Sequence, residues 1–383
     1  MLNKKIKVGM VGLRFGAEFP PIYRDHPDVE SVTLCELNQG MLNDYARKFR
    51  FENKTDSFDA LCDSDVDAIH IVTGIPNHAE LVLKALKAGK HVACTVPMAT
   101  NVDDMYRIIE AQRASGKNYM MMETSIYTYQ CLYVKQLIDD GRLGRIQYLR
   151  GTHFQDMEAW PDYWMGLPPF WYATHAVAPL LYLSDSYATR VQCLGSGIMR
   201  DELHKQYGNP FPIEHAMIEL NRPNLNAEIT RSLFHTAIGY VEGFTVLGEN
   251  MSFEWDIEDE QPYVHTIKMN DGENVLNSYG RGRDIVITRV TCPDRADLLP
   301  ESIRAYTHQH TILDPDNPQL SIKQGGMHHG SHPHMVHEFV RSIIEERKPV
   351  VDVITAARWT AVGVCAHQSA MQNGKSVDVP SFN

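Results

Sequence analysis

The chain has 383 residues, with 36 Lys+Arg against 48 Asp+Glu and a formal charge of −12. A hydrophobic content of 43% and a charged content of 22% are ordinary globular values, which exclude disorder, collagen and coiled coil. The length suggests two domains. The acidic balance excludes a dedicated nucleic-acid binder, which needs positive charge to neutralise phosphates. No apolar run reaches the ~18 residues needed to span a bilayer, so no membrane association is expected. The opening MLNKKIKVGMVGL enters a strand pattern at once and does not read as a signal peptide. Seven cysteines, an odd number with no CxxC, fit a reduced cytoplasmic protein better than a disulfide framework.

In chain order, IKVGMV (6–11) reads as a buried strand followed by a glycine turn and the helix-capable GLRFGAEF. ESVTLCEL is a second strand and VDAIHIVTG a third, and NHAELVLKALKAGK is a helix closed by Gly89. HVACTV is a fourth strand, VDDMYRIIEAQRASGK a helix ending at Gly116, and NYMMMET a fifth strand. Strands alternating with helices predict a parallel sheet covered on both faces. The rest of the chain reads as strands, RIQYLRGTHF, ATRVQCLG, HAMIEL, AEITRSLFHTA, GFTVLGENMSFEW and DIVITRV, with a polar, irregular stretch between the last two. HEFVRSIIEERK and AARWTAVGVCAHQSAM close it as helices. The expected division is 1–125 for an N-terminal α/β domain and 126–383 for an α+β domain on a large sheet. A sheet with helices on one side leaves the other available to a second subunit, so a homo-oligomer, dimer or tetramer, is expected.

The turn after the first strand carries the first functional signal. A dinucleotide fold uses G-x-G-x-x-G/A there, so that backbone N–H groups can approach a pyrophosphate. This chain has Gly12-Leu13-Arg14-Phe15-Gly16-Ala17, with Arg14 in place of the second glycine. Arg14 either lies over the pyrophosphate as an extra charge or marks a less tight turn. Glu36 ends the second strand, where a carboxylate accepts from ribose hydroxyls and repels a 2′-phosphate, which favours NAD over NADP. The alternative for Glu36 is a solvated loop carboxylate.

Further motifs join this turn: Thr73-Gly74-Ile75-Pro76-Asn77-His78, Ala88-Gly89-Lys90-His91-Val92-Ala93-Cys94-Thr95-Val96-Pro97, Ile138-Asp139-Asp140-Gly141-Arg142-Leu143-Gly144-Arg145-Ile146 and His337-Glu338-Phe339-Val340. Together they resemble the glucose–fructose oxidoreductase / inositol dehydrogenase / MocA (Gfo/Idh/MocA) family over nearly the whole chain. The resemblance implies an N-terminal Rossmann domain and a C-terminal domain on a large, mostly antiparallel sheet. It implies a nicotinamide cofactor used on a hydroxyl of a sugar, inositol or similar polyol. Gly12, Arg14, Phe15, Gly16, Glu36, Thr73, Asn77, His78, Pro97 and Glu123 would then serve the cofactor. The family usually reads Glu-Lys-Pro where this chain has Thr95-Val96-Pro97, and its lysine helps the substrate hydroxyl lose a proton. Val96 cannot, so either the chain is a non-catalytic relative or another residue is the base.

A sub-group, the NAD-dependent glycosidases of the α-N-acetylgalactosaminidase type, is similar in having Val-Pro there. It also shares Met120-Met121-Met122-Glu123 with Tyr127, and Tyr172-Ala173-Thr174-His175 with Pro179. In that sub-group the tyrosines and the histidine surround the sugar and handle protons, which implies catalytic roles for Tyr127, Tyr172 and His175. Those enzymes tend to have Glu where this chain has Thr95.

The residues themselves allow such roles. Histidine titrates near neutral pH, as a base for alcohol oxidation must, and His175 lies in the aromatic stretch PFWYATHAVAPLLYL, at the expected start of a helix. On a helix Tyr172 would share its face. A buried structural histidine is the alternative. The segment from His153 to Trp164 interleaves carboxylates with rings, a composition suited to sugars, and nominates Asp156 and Trp160 as substrate contacts or as parts of a solvated loop. Gly325 to His334 packs four of the chain's 18 histidines into a short stretch. With no clear i, i+4 pair and Pro333 in the way, no metal site is expected. The glycine-rich loop is taken to enter the active site, with His329 as a substrate contact and His334 and His337 opening a helix.

Three functions remain open: an NAD-dependent oxidation of a ring hydroxyl at C3, a redox-neutral glycosidase or lyase working through the 3-keto sugar, and a non-catalytic NAD-binding protein.

Overall fold

A computed structural model of the chain describes residues 4–267, 285–312 and 322–383. These fall into two compact units, described residues up to 129 with those of 294–364 and 380–383, and described residues of 130–293 with 365–379. The described residues of 294–364, on the C-terminal side of the division expected at residue 125, pack within the first unit.

The first unit is built on β1 (Ile6–Val11), β2 (Val29–Cys35), β3 (Lys54–Thr55), β4 (Ala68–Ile71), β5 (His91–Thr95) and β6 (Tyr119–Met122). All pair in parallel in the order β3-β2-β1-β4-β5-β6. This is the doubly wound dinucleotide order, in which the strand sequence reverses beside β1. Its helices are α1 (Pro20–Asp25), α2 (Gln39–Phe49), α3 (Phe58–Asp63), α4 (His78–Lys87) and α5 (Val102–Ser115). Three start on side-chain caps, Asn38 accepting from Met41 N–H, Ser57 from Ala60 N–H and Asn101 from Asp104 N–H, and α5 stops at left-handed Gly116.

The stretch expected to be helical after β1 is instead a 3-10 turn, Phe15–Glu18, followed by the six-residue α1. Pro20 and Pro21 explain this. An α-helix from Phe15 would need their absent N–H groups to reach Gly16 and Ala17, whereas proline at the first helical position costs nothing.

The second unit holds β7 (Ile146–Phe154), β8 (Ala188–Ser196), β9 (Ile213–Leu220), β10 (Asn226–Ser232), β11 (Val241–Gly248), β12 (Met251–Trp255), β13 (Tyr263–Ile267) and β14 (Ile285–Arg289). With a short C-terminal strand, Val377–Asp378, they form a nine-stranded sheet. Every pairing is antiparallel except β7 with β10. GFTVLGENMSFEW, expected as one strand, is a hairpin of β11 and β12 turning at Glu249-Asn250. The polar stretch after it contains β13, while residues 268–284, including the Asp284 that begins DIVITRV, lie outside the described residues.

Helix α6 (Tyr129–Asp139) leads toward β7, and α7 (Thr174–Leu183) packs on β7, β10 and β11. The approach is close at Gly151, where a Cβ would stand 2.3 Å from the Ala176 carbonyl oxygen. Helix α8 (Asp201–Tyr207) follows β8, and the strands His310–Ile312 and Ile322–Gln324 pair within the first unit. The closing helices are α9 (Met327–Ile344) and α10 (Val353–Met371). Cys94, Cys193 and Cys365 are buried thiols, as their apolar surroundings suggest. Among the described residues no helix is long and apolar enough to cross a membrane.

Candidate functional site

In the first unit the glycine turn is cut for close approach. Gly12 has φ +88°, and a Cβ there would lie 2.0 Å from the Val72 carbonyl oxygen, so only glycine fits. Gly16 is buried against Met10 and Val72. Glu36 does more than face solvent. One carboxylate oxygen accepts from Leu13 N–H at 2.9 Å and the other from Asn38 N–H at 2.9 Å, which ties the end of β2 to the turn. Each oxygen keeps a second lone pair for a ligand hydroxyl. The N–H groups of Arg14, Phe15 and Gly16 have no acceptor among the described residues, an arrangement suited to an anion. Arg14 is exposed beside them.

Thr73, His78 and Pro97 come together. His78 is fully buried, with Nδ1 2.8 Å from the Pro97 carbonyl oxygen and Nε2 3.1 Å from that of Thr73. Burial lowers its proton affinity against the pull of those two carbonyls. It thus joins the turn after β4 to the turn after β5, where the Val96–Pro97 bond is cis. Asn77, its neighbour, is exposed. Val96 is buried. Glu123 is also fully buried and accepts from Ser125 N–H (3.0 Å) and Ser125 Oγ (2.9 Å), capping a 3-10 turn that ends at buried Tyr127. Helix α9 packs on that turn.

The histidine-rich segment splits into two parts. His328, His329 and Gly330 are left-handed (φ +44°, +48° and +74°), and regular helix follows. Such backbone in two non-glycine residues is strained, a frequent mark of functional sites. His328 and His332 set their rings 5.9 and 5.7 Å from Phe15, so the segment meets the glycine turn. His329 lies at the edge of the Tyr129 ring. His334 and His337 fall within the helix as expected, but bond to the Asp294 carbonyl (3.1 Å) and to His26 (2.9 Å). Among the described residues no three His, Cys, Asp or Glu side chains converge to hold a metal ion.

In the second unit Tyr172 and His175 meet: the hydroxyl is 3.1 Å from His175 Nε2, and the imidazole is 3% exposed. They do not share a helix face. Tyr172 ends a 3-10 turn, Pro169–Tyr172, and His175 is in the first turn of α7, with Ala173 between. Trp164 packs edge-on against Tyr172 at 4.8 Å, and half-exposed Trp160 stands 6.2 Å from Trp164. Asp156 is exposed and accepts from Glu158 N–H. Glu158 is held by Arg200 (2.6 Å) and His235 (2.6 Å), which anchors this loop.

Beneath Tyr172 and His175 lies a feature that reading the sequence missed. The sheet register aligns Glu242 on β11, His153 on β7, Arg231 on β10 and Glu214 on β9 in one row, all buried. Arg231 donates from Nε to the Tyr172 carbonyl (2.9 Å), from Nη1 to the His153 and Ser232 carbonyls, and from Nη2 to Gln155 (3.1 Å). Burial brings its pKa down to about 10. Glu214 accepts from Phe170 N–H (2.9 Å) and faces His367 Nδ1 at 2.6 Å. Both ends of the turn that carries Tyr172 are therefore fixed from the sheet. His153 packs edge-on to His175 at 5.0 Å. A signal was present: Leu149-Gly151-His153, Ala227-Ile229-Arg231, Glu214-Ala216-Ile218 and Glu242-Phe244-Val246 are alternating apolar faces that each end in an ionisable group.

Residues 6–123 match the oxidoreductase family with NAD-binding Rossmann fold, GFO_IDH_MocA. Over 98% of this chain and 84% of its own length, glycosyl hydrolase family 109 protein 1 of Phocaeicola vulgatus is 23% identical. The protein of the same name from Bacteroides fragilis is 26% identical over 98% of this chain and 85% of its own. Among solved structures, levoglucosan dehydrogenase in complex with NADH and levoglucosan superposes with a TM-score of 0.74 at 20% identity, covering 98% of this chain and 100% of the other. Myo-inositol 2-dehydrogenase from Lactobacillus plantarum does so with a TM-score of 0.69 at 18% identity and the same coverage.

Proposed function

Since residues 6–123 match the Gfo/Idh/MocA oxidoreductase family and its NAD-binding Rossmann fold, we propose that the chain belongs to that family and oxidises a ring hydroxyl of a sugar or glycoside, at C3. The observation that carries this reading is the Tyr172–His175 pair at 3.1 Å in a unit that also supplies a wall of tryptophans. NAD suits the first unit: the space at Gly12, the open N–H groups of Arg14 to Gly16 and the Glu36 carboxylate match a pyrophosphate and a ribose diol. When bound, NAD supplies the hydride acceptor. The protein's own part is proton handling and orientation. His175 Nε2 takes the hydroxyl proton, directly or through the Tyr172 oxygen, as the carbon–oxygen double bond forms. Val96 cannot supply this function, so the base lies in the second unit. Asp156 and Trp160, on the anchored loop of the same unit, are its sugar contacts. Asn77, Phe15, Pro97 and Glu123 shape the cofactor's surroundings.

A second reading is favoured by the relatives named as glycosyl hydrolases along nearly the whole chain. There the ketone acidifies C2–H, a base removes that proton, and the C1 substituent leaves. Water then adds and the hydride returns to C3, so no NADH accumulates. The experiment is to add NAD⁺ with levoglucosan, myo-inositol or p-nitrophenyl glycosides and follow NADH and p-nitrophenol together. Net NADH supports the first reading, and p-nitrophenol without net NADH the second. Protein that gives no thermal shift with NAD⁺ or NADH does not bind the cofactor, and both readings fail. We also propose a cytoplasmic homo-oligomer formed through the sheet face bearing exposed Met217, Leu194 and Leu247, which light scattering tests.

A further inference from the structure

Glu242 has no place in the chemistry described so far, yet it is 2% exposed, and a carboxylate is expensive to bury without partners. Tyr240 donates its hydroxyl hydrogen to Glu242 Oε1, and the Glu242 N–H donates to the Glu258 carboxylate at 2.8 Å. The same Oε1 lies 3.8 Å from His175 Nδ1. His175 therefore presents one ring nitrogen to a carboxylate and the other, Nε2, to the Tyr172 hydroxyl at 3.1 Å.

The chemistry of the two partners differs in kind. An ionised carboxylate can only accept, whereas a phenol can donate. The ring hydrogen is then favoured on Nδ1, and Nε2 is left with its lone pair. We infer that Glu242 is a positioning residue that holds His175 as the Nδ1–H tautomer and stabilises the imidazolium formed when Nε2 accepts a proton. The sheet register makes this possible. Glu242 on β11 pairs with His153 on β7, and α7 is drawn onto β7 at Gly151, against the carbonyl of Ala176, the residue after His175. The groups facing the imidazole include Tyr172, His153 and Glu242, with Tyr240 on the carboxylate and Arg231 one strand beyond His153.

During turnover the balance is simple. The sugar O–H bond breaks and its proton ends on His175 Nε2, the hydride of the same carbon's C–H bond would go to NAD⁺ when bound, and Nδ1–H remains directed at Glu242. The inference takes the role of His175 from the proposed oxidation. The tautomer, however, belongs to the resting protein and is measured without any substrate.

The test is a long-range ¹H–¹⁵N correlation on intact protein labelled with [¹⁵N]histidine, with His175→Gln identifying the signal. Wild type is expected to show hydrogen on Nδ1 and a bare Nε2, and Glu242→Gln to populate the Nε2–H form. Tyr240→Phe, which leaves the carboxylate in place, keeps the wild-type pattern. On a sugar that turns over, Glu242→Gln is expected to lower kcat about 10²-fold or more, with KM for NAD⁺ unchanged. Hydrogen on Nε2 in wild type overturns the inference, whether or not the variant folds, and so does a Glu242→Gln spectrum identical to wild type. A sugar activity that never appears refutes the oxidation alone and leaves the tautomer result standing.

Discussion

The two units bury their polar groups by different means. In the first, the deepest titratable groups include His26, His70, His78 and His334, set against rings or backbone carbonyls, and burial lowers the proton affinity of each. In the second, a carboxylate, an imidazole, a guanidinium and another carboxylate stand in adjacent strands. A neutral imidazole needs few partners and joins one turn to the next. An ionisable row must be compensated across strands, and it fixes the geometry of whatever rests on it. The first arrangement suits a cofactor cradle made of turns. The second suits a proton-handling pair that must not drift, since effective catalysis depends on held geometry.

This contrast can be tested at four points. The largest effect is expected from His175→Ala, which should lower kcat on an identified sugar by about 10³-fold while the thermal shift with NADH persists. Near-full turnover would remove His175 from the chemistry. Next, Arg231→Met strands three buried carbonyl oxygens and takes the partner from the Gln155 side-chain oxygen. It should cost about 3 kcal/mol of unfolding free energy in urea, and a variant as stable as wild type would mean that the row is ornamental.

Gly12→Ala forces a Cβ toward the Val72 carbonyl at positive φ and should cost about 2 kcal/mol. It should also abolish the thermal shift with NADH, and a retained shift would place the cofactor elsewhere. The smallest effect is on pH dependence. Burial brings His26 and His334 to about 4 and His70 to about 3. The unfolded chain, near the ordinary 6.5, binds those protons first, so stability is whole above pH 6.5 and falls as the pH drops through about 4. Each histidine adds at most about 1.4 kcal/mol per pH unit to that loss. Urea midpoints that stay level from pH 6.5 to 4 would show these imidazoles to be accessible.

The nucleotide half was legible because its signals are local. Gly12, the acid at the end of β2 and the alternation of strands and helices each act within a few residues of chain, and the motif order alone implied the parallel sheet. Even so, Pro20 and Pro21 limited the expected helix to a 3-10 turn and six residues, and Glu36 proved to bond the turn backbone. Tyr172 and His175 were nominated by spacing and resemblance, and they do meet, though across a 3-10/α junction rather than on one helix. His334 and His337 opened a helix as expected, yet their ring nitrogens bond within the first unit.

By itself the sequence determined the doubly wound domain, its NAD-type turn and the identity of the tyrosine–histidine pair. These rest on backbone permissiveness, periodicity and side-chain chemistry, all carried by neighbouring residues. Only the tertiary structure decided what supports that pair. Glu242, His153, Arg231 and Glu214 are separated by up to 89 positions, from 153 to 242, and become neighbours solely through strand register. Pairing across a sheet is a non-local choice, set by which apolar faces can be buried together, and no single strand announces its partner.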